Sequence, residues 1–425
     1  MRFRSCGDPA REPLAACAIS CATVPREAPP RHLILTLGAL SSFGPLSADM
    51  YLPGLPSLTR SLHASAAAAN MTLTASVLGL ALGQLLAGPV SDQLGRRRPL
   101  LAGLSGFAAA SVLCAIAPSI GVLVVLRFIQ GMSGGAGIVI ARAIIRDLYG
   151  GTTAARMFST LMMITGVAPI LAPLIGGGVL AVSSWRGIFL VLAAIGLCLI
   201  GLALRAVPET LPASARHAGG VQATVVALRR LARDRTFAPY CAAFAFSFGA
   251  MFAYISGGSF VIENVYGASP QVFSVVFAVN ALGFVAISHY SGRIVGRFGP
   301  ARLLRWGVLA VCAASLAALI VTVAKTSIWP LLITLFCVVS ANGLALPNGV
   351  AAAMAGQPEA LGSASALIGL TQFGLGAALA PLVGLGGSAD ALPMGIVMAA
   401  CGVVALSVNL TLSPRRLRRS DRHRA

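Results

Sequence analysis

The chain is 425 residues long, 57% hydrophobic and only 10% charged, with a formal net charge of +19. A soluble chain carries about 25% charged residues. With a mean hydropathy of +0.86, this one cannot keep its apolar surface from water, so lipid is the solvent for most of it. The positive balance does not point to nucleic acid: the arginines fill short polar gaps between apolar runs, with few aromatics interleaved, the pattern of cytoplasmic membrane loops.

The chain opens on a polar, proline-rich leader, 1–31, read as disordered and cytoplasmic. Its one apolar piece, 14–22, is short and follows Asp8 and Glu12, which does not fit a cleaved signal peptide. A membrane helix needs about 20 apolar residues. About twelve runs reach that length: 33–56, 70–91, 98–117, 120–144, 157–181, 185–205, 238–262, 271–291, 302–324, 327–351, 361–386 and 390–412. The one long internal gap, 206–238, carries Arg216, Arg229, Arg230, Arg233 and Arg235 and reads as a cytoplasmic linker. The expected fold is an all-α membrane protein of about 12 transmembrane helices in two pseudo-symmetric six-helix bundles, 32–205 and 239–412, with a basic cytoplasmic tail over 413–425. Alternate gaps hold the arginines (Arg96–Arg98, Arg146 with Arg156, the linker, Arg293 to Arg305, the tail), and the others offer only Arg60, Arg186 and Lys325. Positive residues stay inside, which puts both termini in the cytoplasm; the gap around Glu359, without cations, is the exception.

The halves echo each other. Gly88, Asp92 and Gly95 stand at spacings of four and three, and Gly292, Gly296 and Gly299 repeat them after the eighth run. Gly166, Pro173 and Gly176 in the fifth run recur as Gly374, Pro381 and Gly384 in the eleventh. Such repeats are expected where two bundles rock around a central site. Cys114, Cys198, Cys241, Cys312, Cys337 and Cys401 lie in apolar runs with no CxxC pair and read as isolated buried thiols. No HExxH, Walker loop or carboxylate pair occurs, which sets aside an enzyme, a bound metal or cofactor, and an ATP-driven pump.

Four stretches carry chemistry. In "GPVSDQLGRRRP", 88–99, Gly88 and Gly95 allow a tight turn, and Asp92 can pair with Arg96 or cap a helix start beside Arg97. An ordinary positively charged loop is the plain alternative. "RFIQG", 127–131, places Arg127 in the fourth span, where a cation is costly and usually functional unless it sits near the interface. "GVAPILAPLIGG", 166–177, collects Gly166, Pro169, Pro173, Gly176 and Gly177, small residues and helix benders suited to close packing. "SADMYLPGLP", 47–56, sets Asp49 ahead of Pro53 and Pro56.

The hairpin stretch resembles the signature of the major facilitator superfamily, where it acts as a conformational latch. Arg127 to Gly131 resembles that superfamily's fourth-span motif, implicated in proton coupling, and 166–177 resembles the antiporter signature of drug exporters. "SADMYLPGLP", "ARAIIRDLYG" (141–150), "GLALPNGVAAAM" (343–354) and "GSASALIGLTQFG" (362–374) are similar to the Bcr/CflA drug-resistance subfamily, over 33–412 in all. The resemblance implies efflux of chloramphenicol-like or bicyclomycin-like drugs across a bacterial inner membrane, driven by the proton gradient with no cofactor. The implied partners are drug, protons and lipid, without nucleic acid, for a monomeric chain. Two departures stand out: Gly296 replaces the acid of the second hairpin, and 33–48 contains no acid deeper in the first span.

Of the twelve acids, only Asp49 falls inside an apolar run, about as far from the outer end of its span as Arg127 is from the end of its own. Asp49 is therefore read as the proton-carrying carboxylate and Arg127 as its partner. The alternative is an interfacial Asp that only orients the first span. Tyr51, Gln84, Gln130, Asn280, Asn342, Asn348 and Gln372 are the candidate cavity residues. Such a cavity would equally serve a transporter exporting one metabolite, such as a sugar, amino acid or nucleoside.

Overall fold

The structure, a computed structural model, describes residues 31–149, 151–212, 214, 229–234, 237–355, 361–387 and 389–412. The leader before Arg31, residues 215–228 of the linker and the tail from Ser413 lie outside the described residues. Regular structure among the described residues is helical: α1 (Arg31–Ser41), α2 (Phe43–Asp49), α3 (Leu55–Ser61), α4 (Ala66–Leu94), α5 (Arg97–Ala115), α6 (Ile120–Leu148), α7 (Gly151–Val182), α8 (Trp185–Ala206), α9 (Ala238–Phe260), α10 (Pro270–Phe298), α11 (Pro300–Val323), α12 (Ile328–Met354), α13 (Leu361–Val383) and α14 (Leu392–Leu412). Eleven of the spans are single helices, and the first is a bent pair that makes twelve. Hydrocarbon offers no partner to a free amide, so each apolar run closes its hydrogen bonds within a helix.

The repeat is visible at helix ends. Ser65 caps α4 by accepting from Ala68 N at 3.1 Å, and Ser269 caps α10 by accepting from Val272 N at 3.3 Å. At the far ends of these two helices, Gly95 (φ 88°) and Gly299 (φ 77°) turn the chain through the left-handed region that glycine tolerates. Packing repeats as well. In the first half α4 runs along α6, and α5 along α6 and α8; in the second, α10 runs along α12, and α11 along α12 and α14. A Cβ on Gly131 of α6 would strike the Ser76 carbonyl oxygen of α4, and one on Gly343 of α12 would strike that of Phe284 on α10. Close helix crossings of this kind need small residues.

The halves meet along α4 against α13 and α7 against α10. Among the described residues four hydrogen bonds cross between them: Asn70 Nδ2 to Ala380 O (3.1 Å), Thr74 Oγ1 to Ala377 O (2.9 Å), Gln271 Nε2 to Gly177 O (3.1 Å) and Arg60 Nη1 to Asn264 Oδ1 (3.4 Å). All four lie at the end of the bundle opposite the Arg96 hairpin.

The first span differs in one respect from its sequence reading. Pro53 and Pro56 do open new turns after Asp49, a 3-10 turn over Leu52–Gly54 and then α3. The 50° bend, however, lies between Ser41 and Leu46. Pro45 has no N–H to return to the Ser41 carbonyl, and Ser42 Oγ donates to Gly38 O at 3.0 Å beside the break. Of the thiols, Cys114, Cys241, Cys312 and Cys401 are buried as expected, whereas Cys198 and Cys337 are exposed on helix faces.

Candidate functional site

The helices outrun the apolar stretches that announced them, so Asp92, Asp147 and Glu263 also stand on spanning helices, and Asp49 is not alone there. At the α4–α5 hairpin Arg96 is the hub. It donates through Nη1 to Asp92 Oδ1 (2.5 Å) and Ser91 Oγ (2.8 Å), and through Nε to Asp147 Oδ2 of α6 (2.8 Å). Burial works against its charge, but the two carboxylates outweigh that, and the guanidinium's pKa moves up from its ordinary value. The Glu209 carboxylate, just past α8, accepts from the main-chain N–H of Arg96 (2.8 Å) and Arg97 (3.2 Å), while Arg97 Nη2 donates to Leu204 O (3.0 Å). Glu209 thus supplies the acceptors that the start of α5 lacks. Asp147 and Glu209 were not singled out in the sequence. Asp147 had a signal, the acid in "RDLYG"; Glu209 had none.

Arg127 is fully buried. Its Nη1 donates to Ser47 O (3.3 Å), Ser47 Oγ (3.2 Å) and Gln130 Oε1 (2.5 Å), and Gln130 Nε2 passes on to Ser111 Oγ (2.6 Å). The guanidinium lies 4.8 Å from the Tyr51 ring centre and 5.6 Å from that of Phe189, a cation over two aromatic faces. Its Nε and Nη2 have no hydrogen-bond partner among the described residues. Asp49, at the end of α2, is half-buried and makes neither hydrogen bond nor ion pair among the described residues. Arg127 and Asp49 are therefore not paired in this structure; Arg127 grips Ser47 and Tyr51 on either side of it. A small apolar recess beside them is lined by Phe43, Ser47, Leu80, Phe107 and Gln130.

The glycine–proline run of α7 continues through Pro169 and Pro173 as helix. Gly176 packs on Met50 O and Gly177 on Ser274, so the run touches the first span and the opposite half; Gly166 faces open space, as does the hairpin's Gly88 apart from Val139. The cavity candidates divide. Gln130 lines the recess, and Gln84 and Gln372 are half-buried. Tyr51 is buried, its hydroxyl 3.0 Å from Thr72 Oγ1. Asn280 donates to Tyr254 Oη (2.9 Å), Asn342 accepts from Ser247 Oγ (2.9 Å), and Asn348 donates to Ser291 Oγ (2.6 Å). Each of these asparagines joins two helices of the second half.

Two halves with a shared packing order, a charged hairpin and a buried span-four arginine match one known pattern: the Major Facilitator Superfamily model fits residues 37–381. The chain belongs to the Major Facilitator Superfamily. It is a multi-pass membrane transporter of small molecules and not an enzyme. Its sequence is 40% identical over 374 residues (88% of this chain, 93% of the relative) to the uncharacterized MFS-type transporter YdgK of Bacillus subtilis (strain 168). It is 30% identical over 385 residues (91% and 97%) to the bicyclomycin resistance protein homolog of Haemophilus influenzae. A multidrug resistance protein MdtL of Escherichia coli is 28% identical over 391 residues (91% and 96%). The MFS fold is equally plain in solved structures: a peptide transporter POT in complex with alafosfalin (TM-score 0.72, 15% identity, 91% and 94% covered) and a D-xylose-proton symporter (TM-score 0.65, 17% identity, 90% and 96%).

Proposed function

We propose that this transporter exports small amphipathic drugs of the chloramphenicol or bicyclomycin kind across the bacterial inner membrane in exchange for protons. It acts as a monomer with both termini in the cytoplasm, and its two bundles rock about the 206–238 linker. The relatives named for drug resistance support the substrate class. The observation that carries the mechanism is the placing of Asp49 between the two residues Arg127 holds, Ser47 and Tyr51, with no donor of its own. With the guanidinium engaged by Ser47, Gln130 and two rings, the carboxyl is free to hold a proton. A shift of α2 past α6 brings the unpaired Nε and Nη2 of Arg127 to the carboxylate, and the proton leaves. With the termini inside, the four bonds between the halves would shut the outer side, which supports reading this as an inward-facing state, with Arg96 bonded to Ser91, Asp92 and Asp147 of its own half.

Everted membrane vesicles energised to hold a pH gradient test this. Chloramphenicol-type or bicyclomycin-type compounds should dissipate the gradient, and Asp49→Asn should abolish that response while a neutral drug still binds. Full proton-coupled transport by Asp49→Asn sinks the mechanism. A gradient that survives every drug and collapses with one metabolite sinks the substrate class.

A further inference from the structure

Glu263 is the one acid on a described span that neither the hairpin nor the Asp49 site uses. It sits on a single π-helical turn, Val261–Val265, that prolongs α9. Such turns recur at functional positions. Its Oε1 is buried with no hydrogen-bond partner, and a carboxylate oxygen buried without a donor is costly when charged. The Arg60 guanidinium of α3 is within electrostatic range yet outside ion-pair distance. It reaches across the seam to Asn264 instead, the neighbour of Glu263, at 3.4 Å. Among the described residues no charge other than Arg60 acts on the group: α9 has none from Ala238 to Phe260, and α10 has no titratable residue ahead of His289. An unpartnered carboxyl, an irregular turn and a cation from the opposite half therefore coincide at the closed end of the bundle.

We propose that Glu263 is a proton-binding gate carboxyl: neutral while the seam between the halves is shut, it passes its proton to water when the seam opens and its carboxylate is hydrated. The gate deepens the proton-exchange reading above and rests on it for its place in the cycle. The proton moves between the carboxyl oxygen and water, and no other bond changes. Proton return from the outer side then shuts the seam after drug release, which makes closure, as well as Asp49, sensitive to external protons.

Paired spin labels at Ala64→Cys and Ala389→Cys, in loops on either side of the seam, report its opening in the full chain cleared of native cysteines. Without drug, raising the pH from about 5 to about 8 should raise the open-to-closed ratio of the otherwise unaltered protein at least about tenfold, because one proton separates the two states. Glu263→Gln keeps the shape, cannot ionise, and should hold the seam closed across that range; Glu263→Asp should restore the titration. Arg60→Gln, which removes the bond to Asn264 across the shut seam, should raise the open fraction at both ends of that range. A Glu263→Gln protein that opens with pH as its parent does overturns the proposal, as does a Glu263→Asp protein that stays closed across the range. Drug-driven proton movement, measured in parallel on the same parent in vesicles, separates the two ideas. If that movement is absent while the distance still titrates through Glu263, the exchange reading fails and the gate stands.

Discussion

Replacing Asp147 with asparagine asks what holds the α4–α5 hairpin. The Asp147 side chain is 17% exposed and takes Arg96 Nε at 2.8 Å, Arg96 Nη2 at 3.4 Å and Thr210 Oγ1 at 3.0 Å. The Arg96 side chain is 8% exposed, so the substitution leaves a buried guanidinium facing a neutral amide. Hydrogen bonds to charged groups are worth about 1.5–3 kcal/mol. Asparagine keeps one acceptor, so the net loss is about 2 kcal/mol. The Asp92 side chain, by contrast, is 50% exposed, and a pair open to water contributes only about 0.5 kcal/mol. At about 2–4 °C per kcal/mol for units near the size of one bundle, Asp147→Asn should lower the thermal midpoint by about 4–8 °C and Asp92→Asn by about 1–2 °C. Tryptophan fluorescence of the detergent-solubilised protein reads both. A loss for Asp92→Asn equal to or larger than that for Asp147→Asn refutes the reasoning that burial, rather than place in the hairpin motif, sets the strength of these contacts.

Gly131→Val should wedge α6 from the Ser76 main chain at a cost of about 3 kcal/mol, seen as loss of the monodisperse peak on size-exclusion chromatography. Asn342→Ala should leave Ser247 unpaired and cost about 1 kcal/mol while drug affinity, measured by tryptophan quenching, stays unchanged; weakened binding would return Asn342 to the cavity wall. Glu209→Gln should weaken the cap on α5 by about 1 kcal/mol and speed hydrogen exchange at the amides of Arg96 and Arg97.

Helices of this chain are legible because hydrocarbon imposes one solution on an apolar run, and Gly95 and Gly299 are legible because the same spacing marks the same turn. Their ends were not, since amphipathic turns such as Gly292–Phe298 run past the apolar stretch before them. The bend in the first span escaped notice because Pro45 lies inside an unbroken apolar run, whereas Pro53 and Pro56 follow the visible charge. Glu209 was invisible for a different reason: its partner is 113 residues away, and nothing local distinguishes it from a linker acid. Asn280, Asn342 and Asn348 read as cavity groups from residue type alone. Only packing reveals that each is already engaged across a helix pair.

Three of the four hydrogen bonds that join the halves among the described residues end on main-chain carbonyls, those of Ala380, Ala377 and Gly177. Carbonyl oxygens accept from water nearly as well, so each bond is worth about 1 kcal/mol net, and together the four are worth only a few. One elementary charge crossing about 150 mV releases about 3.5 kcal/mol. The polar share of closure, added to the packing of α4 on α13 and of α7 on α10, is thus matched in size to the driving force, and a firmer clasp of ion pairs would stall the machine.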